Sequence, residues 1–428
     1  MPELDKECGR RIYEIAERIF PINRSITGNG VRKTLRILKE YLPELTIHEV
    51  PSGTEVFDWT VPQEWNCEEA YIENEAGERI IDFKECNLHV LGYSLPMDEW
   101  MDWEELKKIV YTQPDQEEVI PYVTSYYEGR SGFCMSEKQK RQLDEKGGRY
   151  HAVIKSSLTA GSLTYGECVI PGESEQEIFV STYVCHPSMA NNECSGPALS
   201  VYLANLVKTM HRRYTYRFVF IPETIGSITY LSKNYRYLQD HMLAGFLLSC
   251  VGDDRTYSMV ETRYGDTITD RLLRNVLHYV SPGYCHYTFL DRGSDERQYN
   301  APGIDLPVCT FCRSKYGEYP EYHTSADDLN LVSPAGFRGS LEVMCRCIEV
   351  LEHNDKYQIS VFCEPMLSKR KLQSSISQKG NYAQVMRLRN FIAYADGKND
   401  LLRIAERIGE SVYDLLPIVE ELKACELI

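Results

Sequence analysis

The chain has 428 residues, which at about 150 residues per domain points to two or three domains. Hydrophobic residues make up 43% and charged residues 26%, a balance that excludes a mostly disordered chain. With 47 lysines and arginines against 63 acidic residues the net charge is −16, so the average field excludes a protein whose whole surface binds nucleic acid or an anionic membrane.

The first twenty residues carry charges throughout an amphipathic pattern, unlike the basic stretch and apolar run of an export signal. The longest apolar-rich stretch, 242–252, falls short of the roughly 20 residues that a membrane span needs. Fifteen cysteines are scattered without a dense framework and read as reduced, packed thiols of a cytoplasmic protein. Cys309 and Cys312 have CxxC spacing, but a four-cysteine zinc site needs a second such pair.

In chain order, the periodicity predicts a helix over 7–20, a loop with Pro21, Asn23, Ser25 and Gly28, a helix over 30–41 and a strand over 45–50. From 54 to about 146, short alternating runs around Trp59, Trp65 and Trp100 predict a small β-rich insertion. More β-type sequence follows at 152–155 and 163–170. Strands at 178–184, 217–221, 245–251 and 306–311 then alternate with helices at 195–209, 228–237 and 270–280, the mark of an α/β layer fold. Ser333 can cap a helix with Pro334 at its first position, and Phe337, Leu341, Met344, Ile348 and Leu351 line one face of it. After about 357, three short helical patterns (388–394, 401–408, 412–422) suit a helix-turn-helix or winged-helix module. Its last segment sets Glu410, Asp414, Glu420, Glu421 and Glu426 against Lys423, so phosphate would repel it. Docking to a protein, or forming a homo-oligomer, is the expectation for this module.

Ligands of open α/β sheets bind beyond the carboxyl ends of the strands. There the sequence places His186, Glu223, Asp253 with Asp254, and His323. Two imidazoles with carboxylates suit zinc, whose bound water becomes a nucleophile near neutral pH, and a glutamate can take its proton. Ser195 lacks the GxSxG elbow and reads as a helix cap. Cys185, preceding His186 on a strand, is expected to point to the opposite face as packing.

The runs CHPSMANNECSG, IPETIGS and EYHTSADDL resemble the motifs of the co-catalytic zinc aminopeptidase superfamily. DWTVPQEW, IPYVTSYYEGRSGFC and YADGKNDLLRIAERIG further resemble its bacterial branch associated with polysaccharide biosynthesis. That resemblance implies a three-layer α/β core with a mixed sheet (1–53 and 147–356), an inserted β-rich domain (54–146) and a C-terminal winged helix (357–428). It implies hydrolysis of an amide or peptide-like bond, with a small peptide-like or aminoacyl substrate. His186 matches the first metal histidine and His323 the last. Glu223 matches the general base, in a region where the family has two adjacent glutamates, but here Thr224 follows it. Asp253 is placed at the third-strand ligand, with Ser249 as the alternative. Asn192 stands where an aspartate bridges the two metals. Two cations about 3.5–4 Å apart need that carboxylate's charge, so one zinc is expected, with a second held weakly if at all. Tyr316, Tyr319, Tyr322 and the insertion are candidate pocket walls. The alternative reading is an aminopeptidase fold kept as a binding or scaffold protein with little catalysis.

Overall fold

The computed structural model describes residues 4–373 and 385–428. Its centre is an eight-stranded mixed sheet. Thr215–Ile221, Glu177–Tyr183, Met242–Leu248 and Val308–Cys312 lie side by side and parallel. These strands are apolar runs because both faces of the sheet are covered. Thr46–Pro51 and Ser162–Ile170 add an antiparallel edge on one side, and Ser258–Val260 with Cys285–Tyr287 extend the other.

One face packs against Cys8–Ile19, Asn29–Tyr41, Ser195–Thr209, Ile268–Val280 and Pro334–His353. The expected apolar stripe of that last helix, from Phe337 to Leu351, is fully inside, and Ser333 accepts the Gly336 N–H as its cap. The other face packs against Ile225–His241 and the insertion. All of the parallel strands therefore end at the same edge, where their following loops meet.

The insertion is larger than the sequence suggests. Its four-stranded antiparallel sheet runs Arg79–Asp82, Glu64–Asn74, Arg149–Thr159, Met97–Asp102, so a central strand lies beyond the expected boundary at 146. The chain leaves the core where Pro51 pairs with Ser162, and the Ser52 N–H donates to the Gly161 carbonyl. The change of texture near 147 is a turn inside the insertion, with Gly147 and Gly148 both at positive φ. Arg32 ties the two units together, donating to both Glu64 oxygens at 2.7 and 2.5 Å and to Ser162 at 2.8 Å.

At the C-terminus Met386–Tyr394, Asp396–Asp400, Leu401–Ile408 and Leu416–Ala424 form the winged helix-turn-helix unit. Its apolar residues share the core's cluster rather than closing on themselves. Asn275 clamps it from Ile268–Val280, donating to the Glu410 carbonyl and accepting the Val412 N–H. Among the described residues, no helix is long and apolar enough to cross a membrane.

Candidate active site

Beyond Tyr183 the chain leaves the sheet, so strict alternation ends before Cys185 and His186. Both turn inward: the Cys185 thiol lies 3.5 Å from His186 Nδ1 and accepts the Glu223 N–H at 3.2 Å. This corrects the expectation that Cys185 faces away from the site. His186 is buried, with Nδ1 3.0 Å from Glu193 Oε2 and Nε2 3.5 Å from Glu223 Oε2. Burial pushes the His186 imidazole down, but the Glu193 hydrogen bond and the Glu223 charge outweigh it and leave it above the usual range. Glu223, raised by burial, accepts the Ser294 hydroxyl at 2.5 Å.

His323 reaches the same place from a residue in left-handed backbone, φ 57°. Its ring stacks on Tyr322 with centroids 3.9 Å apart and lies 5.4 Å from the His186 ring. Burial and the His186 charge push it down to about 3, so it is neutral near pH 7. Tyr316 and Tyr319, open between pocket walls and ordinary loop packing, are buried packing whose hydroxyls donate to Glu296 and Asp327.

Asn192 sits on the π-type turn Ala190–Cys194 that leads into Ser195–Thr209. The turn continues into the helix, so Ser195 does not cap it as expected; its hydroxyl bonds the Asn191 carbonyl and the Val251 N–H. Asp327 fixes the turn by accepting the Asn191 and Asn192 N–H groups at 2.6 and 3.0 Å, and burial raises its carboxyl to about 6. Asn192 Nδ2 donates at 2.6 Å to the Tyr183 hydroxyl, which also bonds Ser249. Asp253 is not brought to this cluster. Its oxygens accept from Asn191 Nδ2, Arg255 N and both the N–H and hydroxyl of Ser314, whereas Ser249, the alternative, bonds the Tyr183 hydroxyl beside Asn192. Thr224, at φ 64°, donates its N–H to buried Asp295, whose carboxyl burial raises to about 8.

Tyr122, Arg24 and Asp295 are among the residues of the site that the sequence did not single out, as are Glu193, Tyr183, Ser294 and Asp327. Tyr122 comes from the insertion. Its ring lies 5.2 Å from His186 and 5.0 Å from His323, and its hydroxyl bonds Tyr126 at 2.8 Å. The IPYVTSYY run holding it pairs with the His323 loop through the Pro121–Thr324 bridge and the Ser325 bonds to Ile120. Its clustering of tyrosines was the available signal. Buried Arg24 stands beside Glu193.

The donor set fits one cation better than two. His323 Nε2 and Asn192 Oδ1 are buried without a hydrogen-bond partner among the described residues, and a neutral imidazole with its proton on Nδ1 and an amide oxygen each have an acceptor lone pair to offer. Ser249, joined to Asn192 through the Tyr183 hydroxyl, and Thr224, next to Glu223, carry no charge. Among the described residues, one group of three His, Cys, Asp or Glu side chains has ligand atoms within 4.8 Å of one another: Cys185, His186 and Glu193. The Arg24 guanidinium against Glu193 opposes a cation there.

A family model described as a domain of unknown function, DUF4910, matches residues 13–354. The chain belongs to this family. A winged helix-turn-helix model matches residues 356–428 of this DUF4910 protein. A relative from Clostridium acetobutylicum, provisionally named a polysaccharide biosynthesis protein with aminopeptidase-like domain, is 44% identical over 405 residues, covering 94% of this chain and 92% of its own. A crystal structure of a provisionally named peptidase from that organism is 43% identical, with TM-score 0.92 over 98% of this chain and 96% of that one. The Bacillus subtilis zinc aminopeptidase BSAP aligns at 14% identity and TM-score 0.56, covering 80% of this chain and 95% of its own. That last likeness shows the aminopeptidase fold, as the sequence motifs imply.

Proposed function

We propose that this protein is a hydrolase of amide bonds in small peptide-like or aminoacyl substrates, working with one zinc ion. The observation that carries the reading is the convergence of His186, His323 and Glu223 at the carboxyl edge of the parallel strands, with His186 buried and the other two half-buried. His186 Nε2 and His323 Nε2 would hold the metal, and the Asn192 amide oxygen would be a weaker ligand or an orienting group. A zinc ion bound there polarises a carbonyl and acidifies water.

The chain's own groups have separable parts. Glu223, hydrogen-bonded by Ser294 and with burial raising its carboxyl, takes the proton of the attacking water and returns it to the leaving amine. Tyr122 and Tyr322 flank the histidines and keep bulk water out. The strap holding Tyr122 restricts the pocket to the end of a small substrate.

The test is turnover on a panel of aminoacyl anilides and dipeptides by the zinc-loaded protein. Glu223→Gln should lower turnover about 10²–10⁴-fold. Turnover unchanged by that substitution overturns the assignment. A second reading, a binding or scaffold protein, is favoured by the same strap lying over both histidines. It is chosen if the wild-type protein takes up no zinc and turns over none of the panel.

A further inference from the structure

Arg24 lies in the loop between the first two helices, yet it is 2% exposed. Its guanidinium is fully engaged. Nη1 donates to the Ile19 carbonyl at 2.5 Å and to Thr34 at 3.3 Å, Nη2 contacts the Cys194 thiol at 3.4 Å, and Nε donates to the His186 carbonyl at 2.8 Å. Nε also lies 3.4 Å from Glu193 Oε1. The other Glu193 oxygen is 3.0 Å from His186 Nδ1. A carboxylate that is 1% exposed therefore sits between a guanidinium and an imidazole.

Burying a carboxylate costs several kcal/mol unless a charge partner and hydrogen bonds compensate it. Arg24 is that partner, since a guanidinium stays charged at every accessible pH. A carboxylate accepts and does not donate, so the proton of the Glu193–His186 bond belongs to Nδ1. On the other side of the ring, Nε2 stands 3.5 Å from Glu223, too long for a good hydrogen bond. A neutral ring carries one N–H, so with the proton on Nδ1 the Nε2 is bare.

We propose that Arg24 and Glu193 are a positioning pair that fixes His186 as the Nδ1–H tautomer and presents a bare Nε2 to the pocket. The pair reaches His186 from two directions: Glu193 hydrogen-bonds the ring, and Arg24 hydrogen-bonds the His186 carbonyl while its charge faces Glu193 Oε1, which has no hydrogen-bond partner among the described residues. Two groups set far apart in the chain thus act on one nitrogen. This rests on the reading of His186 as a metal ligand, but the tautomer exists without metal and can be read separately.

The experiment uses full-length, metal-free protein with ¹⁵N-labelled histidine, at a pH where the ring is neutral. The His186 signals are identified by their loss in His186→Gln. In the wild type the proton should reside on Nδ1; in Glu193→Gln that bias should disappear. Zinc affinity, measured by competition with a chromophoric chelator, should fall about 10–100-fold in Glu193→Gln. A wild-type proton on Nε2 overturns the proposal, as does a Glu193→Gln variant with the same tautomer and the same affinity. If that variant does not fold, the wild-type tautomer still decides. Should the wild type bind no zinc, the metal reading fails, and the tautomer alone judges the pair.

Discussion

The backbone N–H of Tyr122 donates to the His323 carbonyl at 2.8 Å, and the two rings meet edge to face with centroids 5.0 Å apart. One residue comes from the insertion and the other from the core, so the insertion closes the site it was threaded around. A substrate of the proposed kind would have to displace this strap or slide beneath it. Replacing Tyr122 with alanine should cost about 1–3 kcal/mol in denaturant unfolding and speed chemical modification of both histidines. Unchanged modification rates would show that the strap does not guard them.

Tyr183 and Asn192 form the second telling pair. The Tyr183 hydroxyl joins the Asn192 amide nitrogen to Ser249 in a network of three neutral groups, while Asn192 Oδ1 has no hydrogen-bond partner among the described residues. Tyr183→Phe leaves buried polar atoms unpaired and should cost about 1–3 kcal/mol by denaturant titration. A loss near zero would mean that the network adds nothing.

Restoring charge at these positions should have a stepwise effect. Asn192→Asp alone should leave the zinc content near one per chain, because Ser249 and Thr224 remain neutral. A second zinc should enter only when Asn192→Asp is combined with Ser249→Asp and Thr224→Glu. Elemental analysis after dialysis checks both, and two tight zinc ions in the single variant would refute the account.

Gly30 holds the loop that carries Arg24. A Cβ there would lie 1.9 Å from the Asn23 carbonyl oxygen, which is backbone and cannot swing aside. Gly30→Ala should therefore lower stability by about 1–3 kcal/mol and weaken zinc binding through Arg24. Retained stability with lowered affinity would also fit a displaced Arg24; retention of both would not.

Acid should loosen the seam between core and insertion. The Arg32 hydrogen bonds hold the Glu64 carboxyl down at about 2, against its partial burial. A depressed folded-state value means that the stabilisation is full above the ordinary carboxylate range and is lost as pH falls toward about 2. Glu64→Gln should lower stability at neutral pH and flatten the acid limb of the stability–pH curve. An acid limb identical to wild type would assign it elsewhere.

Much of this was legible in the sequence, for identifiable reasons. The apolar runs 178–184 and 217–221 read as buried strands, and Glu177–Tyr183 and Thr215–Ile221 are central in the sheet. Ser333 and Pro334 carried an unambiguous helix start. His186 and Glu223 were visible because strand-end position is a local property, and His323 because it lies in the loop after Val308–Cys312 within the EYHTSADDL run. What failed was non-local. Alternation at 152–155 says strand, but not that the partner is Glu64–Asn74 in the insertion rather than the core sheet. Asp253 had the right residue type one turn too late, and its neighbours Ser314 and Asn191 consume its oxygens. Arg24 gave no pattern at all, since its role depends on Glu193, far along the chain.

The measurement that bears most directly on the central claim is zinc stoichiometry of chelator-stripped, re-dialysed protein, for the wild type, His186→Ala and His323→Ala. The expected result is about one zinc per wild-type chain, lost in either variant. Two tightly held zinc ions in the wild type, or uptake unaffected by both substitutions, would contradict a single cation shared by these two histidines.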